Sequence, residues 1–136
     1  MKVRRAYLTV LVLLVGLVLV GVACSSPTKE ELASLAAKGY YDHLIRGEYA
    51  QFLEGMDQRE AMGEDDYRSQ LLDTYRQFVA QQEEAHRGIR EVRIVNAQTD
   101  TIEKYTSVFL TLCFGDSTNE EIVVPMVERH GSWRMK

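Results

Sequence analysis

This sequence is poor in the residues that staple, ligate and punctuate a chain. It has two cysteines, three histidines, two prolines and one tryptophan in 136 residues. No two of its Cys or His residues have the spacing of a structural zinc site, so no metal is expected. It has no Gly-rich phosphate loop, no His-Glu-x-x-His helix, no Ser-His-Asp order and no paired-carboxylate signature. No cofactor is expected, because each of those chemistries needs its own residue types at its own spacing. Basic residues are outnumbered 16 to 20, for a net charge of −4. Binding to phosphate backbones needs a surplus of Lys and Arg, so nucleic acid is excluded as a partner. There is no internal repeat and no low-complexity segment.

The stretch with the most definite meaning is residues 1–26, MKVRRAYLTVLVLLVGLVLVGVACSS. Lys2, Arg4 and Arg5 precede an uncharged run over 6–23, the layout of a secretory signal. A membrane helix needs about 20 apolar residues, so length alone leaves an uncleaved transmembrane helix as the competing reading. The end of the run favours cleavage. Gly21 and Ala23 are small enough for a peptidase groove, and Cys24 stands at the first position after the cut. This resembles the lipobox of bacterial lipoproteins, although Gly21 occupies the position where Leu is usual. The resemblance implies a signal peptide over 1–23, lipidation of Cys24 by a thioether-linked diacylglycerol, a lipidated tether over 24–28 and a single domain over 29–136. Each buried acyl CH₂ contributes about 0.8 kcal/mol, so two or three chains anchor stably where one does not.

Two consequences follow from that reading. With Cys24 committed to lipid, Cys113 has no partner, and stability must come from packing rather than a disulfide. Loss of Lys2, Arg4 and Arg5 takes 16 basic residues to 13 and the net charge from −4 to −7. Such a domain is repelled by anionic head groups and should stand off the membrane. Lys29-Glu30-Glu31 resembles the acidic export tags that send lipoproteins to the surface in one group of Gram-negative bacteria. Ser25, rather than Asp, after the Cys fits sorting to the outer membrane. The expected location is the cell envelope, lipid-anchored, at the outer membrane of a Gram-negative bacterium, with surface exposure left open.

Periodicity divides the rest of the chain. Thr28 and Glu31 fit a capping box for a first helix over 29–46, with Leu32, Leu35, Ala36, Tyr40, His43 and Leu44 on one face and Gly47 as its stop. A short helix over 48–56 groups Tyr49, Phe52, Leu53 and Met56. Residues 57–66 read as a loop. A long helix over 65–87 carries the stripe Tyr67, Leu71, Tyr75, Phe78 and Gln82, flanked by Leu72 and Val79, with Gly88 as its C-cap. The period then changes to two. Strands are expected over 89–98, 105–114, 120–128 and 132–136. The second is apolar on both faces, so it should be covered on both sides at least in part. Pro125 places the third at an edge or bulge. His130-Gly131 is a two-residue hairpin turn.

Helices followed by an antiparallel meander make an α+β domain, with N-terminal helices packed in a curved four-stranded antiparallel sheet. Gly-Tyr-Tyr (39–41), Gly-Glu-Tyr (47–49), Val-Phe-Leu-Thr-Leu (108–112), Pro-Met-Val-Glu (125–128) and Gly-Ser-Trp-Arg-Met (131–135) resemble the small bacterial lipoproteins with a nuclear transport factor 2-like (cystatin-like) domain of unknown function. The resemblance implies a cone with a cavity between sheet and helices, which in that superfamily serves isomerases, dehydratases and non-catalytic binders alike. Fold therefore leaves function open.

Tyr40, His43 and Tyr75 are the candidate pocket residues. Tyr40 and His43 share a helix face and could polarise a carbonyl or move a proton; Tyr75 and Tyr67 could present hydroxyls to the same cavity. Each has a plainer reading, as a hydrogen-bonded core residue. His86 and Glu83 read as a solvated helix face, His130 as a turn residue, and Cys113 as a small buried hydrophobe rather than a nucleophile. No catalytic residue is assigned. The expected role is non-catalytic, either binding of a small apolar ligand or an envelope protein or formation of a homodimer through the sheet, with membrane attachment through the N-terminal lipid. The alternative is a small isomerase, dehydratase or hydrolase acting in the cone.

Overall fold

The computed structural model describes residues 25–57 and 64–136. The proposed signal over 1–23, Cys24 and positions 58–63 of the expected loop lie outside the described residues. Among those described, no helix is long and apolar enough to cross a membrane.

The first helix, α1 (Lys29–Ile45), starts at the expected capping box. Glu31 N–H donates to Thr28 Oγ1 at 3.1 Å, and Thr28 N–H donates to the Glu31 carboxylate at 3.2 Å. Its inward face is not the expected one. Ala33, Ala37 and Leu44 are buried, whereas Leu32 and Leu35 are 41% and 62% exposed. The helix packs on the inward face of the sheet, and two alanines on that side let the backbones approach where two leucines would hold them apart. Gly47, at φ 76°, turns the chain into α2 (Tyr49–Glu54), which buries Phe52 and Leu53. Gly55 follows with the Tyr40 ring flat against it; a Cβ there would lie 2.5 Å from Tyr40 Cδ1.

The long helix α3 (Asp65–His86) places Asp65 and Asp66 in its first turn and His86 in its last, as the helix dipole favours. It is capped by Arg87 in the left-handed conformation at φ 60°, one residue earlier than the expected Gly88. None of its residues is buried. Its stripe of Leu71, Leu72, Tyr75, Phe78 and Val79 is only half-buried against the core. The helix therefore leans on the rest of the domain without closing onto it.

Four strands, β1 (Ile89–Asp100), β2 (Tyr105–Phe114), β3 (Asn119–Arg129) and β4 (Ser132–Met135), form an antiparallel meander in the order β1-β2-β3-β4. Val92, Ile94 and Ala97 face the helices with Leu112, Leu110 and Val108 opposite them. A register shift between Ile94 and Asn96 absorbs Val95, which is half-exposed, and restores the inward phase at Ala97. Ile122, Val124 and Met126 continue the same rows on β3. The outward side of β2 is half-buried, short of full cover on both sides. β3 is an internal strand, yet Pro125 sits where β4 gives out. Its carbonyl accepts from Lys136 N–H at 2.9 Å, on the side away from β2. A residue's N–H and C=O project to the same side of an antiparallel strand, so the missing Pro125 donor costs the β2–β3 ladder nothing. At the β3–β4 turn His130 and Gly131 have φ 52° and 79°, the signs of a type I′ hairpin. Met56 pairs with Met135 and seals the outer edge of β4, with Met135 N–H donating to Gly55 O and Asp57 N–H to Met135 O.

Candidate functional site

Because α3 stands off the sheet, a cavity of about 330 Å³ opens between it, α1, α2 and the β3–β4 end of the sheet. Its apolar wall is Phe52, Met56, Leu71, Val124 and Met135; Tyr41, Tyr67 and Tyr75 add three phenols, and Asp57 a carboxylate. The size lies at the small end of ligand pockets. A second, larger hollow of about 420 Å³ lies at the other end, where Lys29, Thr99, Thr101, Lys104, Tyr105 and Trp133 meet. It is framed largely by charged and hydroxyl side chains; the smaller one is inside the cone and carries the aromatic wall.

Three rings of the cavity form a chain. Tyr41 and Phe52 have centroids 5.4 Å apart at 81°, and Phe52 and Tyr75 4.7 Å apart at 70°. Edge-to-face pairing of this kind is the favoured geometry of aromatic quadrupoles. Burial pushes the Tyr41 phenol up to about 12, with the neighbouring Tyr75 adding to the shift. Burial, and secondarily Tyr67, also raise Tyr75. Both phenols are therefore neutral donors at physiological pH. The Asp57 carboxylate is held by Arg129, with Nε to Oδ1 at 3.0 Å and Nη2 to Oδ2 at 3.2 Å.

The three sequence candidates are not brought together. Tyr75 lines the cavity, and so does Tyr67. Tyr40 does not: its hydroxyl donates to Trp133 O at 2.7 Å, bolting α1 to β4. His43 lies outside the cavity wall, with Nδ1 3.2 Å from Arg46 Nη2 and 3.5 Å from the Glu48 carboxylate at the α1–α2 corner. Sequence reasoning missed Tyr41 and Asp57. Tyr41 keeps helical spacing with Ala33, Ala37 and Leu44, but that this face turns inward is decided by packing against the sheet. Asp57 carried no signal, because its place depends on β4 pairing with a segment some eighty residues upstream.

Outside the cavity, His86 and Asp116 clamp the end of α3 to the β2–β3 hairpin. His86 Nδ1 lies 2.9 Å from Asp116 Oδ2, and its ring stacks on Phe114. The hydroxyl and backbone N–H of Thr118 hold the Asp116 carboxyl down to about 2, with His86 contributing. Cys113 is buried. Among the described residues no group of acids, His and Cys is placed to hold a metal ion.

No family model matches the chain, and no curated protein matches it significantly. Among solved structures it is similar to a nuclear transport factor 2-like protein of Campylobacter jejuni, provisionally named a transpeptidase. The TM-score is 0.55 at 17% identity, over 73% of this chain and 92% of that one. At this identity the likeness speaks for the fold alone. Helices backed by a four-stranded, unclosed antiparallel sheet, with a cavity between them, give this chain the nuclear transport factor 2-like fold.

Proposed function

We propose that this is a lipid-anchored cell-envelope protein whose cone cavity binds a small, mainly apolar ligand without transforming it. The observation that carries the binding reading is the cavity wall itself. Phe52, a set of aliphatic and thioether side chains and three phenols line about 330 Å³. The wall has no Ser, Thr, Cys or His among the described residues, and its carboxylate, Asp57, is bonded twice to Arg129, so an activated nucleophile or a free base of the usual kind is missing from it. This weighs against an isomerase or hydrolase reading. It weighs equally against carrying over the transpeptidase name of the structural neighbour. Anchoring through Cys24, export of the domain and residence at the outer membrane rest on residues 1–31 alone.

Two experiments test the halves separately. Cys24→Ala in the native host should abolish incorporation of a palmitate analogue; retained labelling would sink the anchor. The full chain, purified from its native envelope in maltoside micelles, should hold a small-molecule mass in native mass spectrometry. Leu71→Trp, which fills the cavity from α3, should lose that mass while keeping its circular dichroism. Retention by the filled variant, or no bound mass in the wild type, refutes the cavity as a ligand site.

A further inference from the structure

We infer that the ligand of this cavity is an organic cation, a quaternary or protonated amine on a small apolar body. This rests on the reading of the cavity as a ligand site and adds the chemistry of what enters it. An anion has no partner there. Among the described residues Lys136 is the basic residue in the wall, and its ammonium is drawn to the Tyr105 ring, 5.0 Å from the centroid. Tyr105 belongs to the other hollow. Arg129, which touches the rim through Asp57, is spent on that carboxylate with two bonds.

A cation meets the opposite conditions. Four aromatic side chains, Tyr41, Phe52, Tyr67 and Tyr75, line one small space. The angles of 81° and 70° between successive rings make walls that meet steeply rather than a flat stack, so a compact group lies close to more than one ring. Each ring carries a negative face, and an ammonium within about 6 Å of a centroid is attracted to it. The attraction is largest where water is excluded, as burial of Phe52 at the cavity floor provides. A chain net charge of −4 favours the same sign. A neutral apolar body would fill the space but gain nothing from these charges.

The test compares choline with its uncharged carbon isostere, 3,3-dimethylbutan-1-ol, on the full wild-type chain in maltoside micelles with ¹³C-labelled tyrosine rings. Choline should shift the resonances of Tyr41, Tyr67 and Tyr75 and leave Tyr105 in place. The alcohol should bind at least about five-fold more weakly. Tyr75→Leu, which removes one ring, should bind choline at least about five-fold more weakly. Equal binding of the two probes overturns the inference, as does a Tyr75→Leu variant that keeps wild-type affinity for choline, or a wild type that responds to neither probe. A chain that ignores choline yet retains a mass displaced by Leu71→Trp leaves the ligand site standing and removes only its preference for cations.

Discussion

The assignment of Tyr40 to the scaffold rather than the cavity makes a quantitative prediction at Gly55. A methyl group at Gly55 would lie 2.5–2.7 Å from three atoms of the Tyr40 ring. The ring cannot swing aside freely, because its hydroxyl is bonded to Trp133 O at 2.7 Å. Overpacking of this kind costs about 1–3 kcal/mol, and losing the hydroxyl bond instead costs about 0.5–1.5 kcal/mol. The backbone works in the other direction. Gly55 has φ −75° and ψ −8°, which alanine adopts readily, and Gly→Ala at such a position stabilises by about 0.4–1 kcal/mol through the unfolded chain. Gly55→Ala should therefore destabilise the wild type by roughly 0.5–2.5 kcal/mol net. In a Tyr40→Ala background the clash is gone, and the same change should stabilise by about 0.4–1 kcal/mol. The sign reversal, a coupling of about 1–3 kcal/mol, is measured by urea unfolding of the four variants in maltoside micelles, followed by circular dichroism. If Gly55→Ala stabilises both backgrounds alike, Tyr40 is not wedged between α1, Gly55 and β4, and its exclusion from the cavity loses its basis.

Leu44→Ala, at a site 1% exposed, should cost about 2–5 kcal/mol, and Leu35→Ala on the same helix less than about 0.5 kcal/mol; comparable losses would contradict the inward face described for α1. The Asp116 carboxyl is lowered from 3.8 to about 2 in the fold. Its contribution is thus complete above about pH 4 and lost as pH falls toward 2. Asp116→Asn should flatten the acid-unfolding profile in that window, and an unchanged profile would remove the clamp. Tyr41, raised to about 12, should remain protonated well above the ordinary phenol value of about 10 in a 295 nm titration. Tyr41→Phe should then delete only the late component.

The order and type of every described element were legible because each follows from local rules. The Thr28–Glu31 box, the stripe of α3 and the alternation along β2 involve residues within one or two turns or strand positions of one another. What failed did so for reasons of partner, not pattern. Leu32 and Leu35 are as apolar as Leu44, and nothing in the helix itself says that Ala33 and Ala37 meet the sheet; close approach of two backbones decides that. The inward phase of β1 changes at Val95 because the paired strand lacks the matching residue, which periodicity cannot register. In the candidate site, Tyr67 and Tyr75 were legible from the α3 stripe. Tyr40 and His43 share a helix face yet part company, one drawn to a β4 carbonyl and the other to an Arg–Glu pair.

The sequence by itself determined the α+β order, the absence of any internal disulfide once Cys24 is set aside, the acidic balance, and the basic-apolar-Cys24 pattern on which the anchoring proposal stands. Those are properties of composition and of neighbours along the chain. Only the tertiary structure decided that α3 leans away from the sheet and leaves a cavity, and that Tyr41, Phe52, Asp57, Tyr67 and Tyr75 line it. A cavity is the space that packing fails to fill, so it depends on how far apart the elements settle rather than on what any one of them is made of.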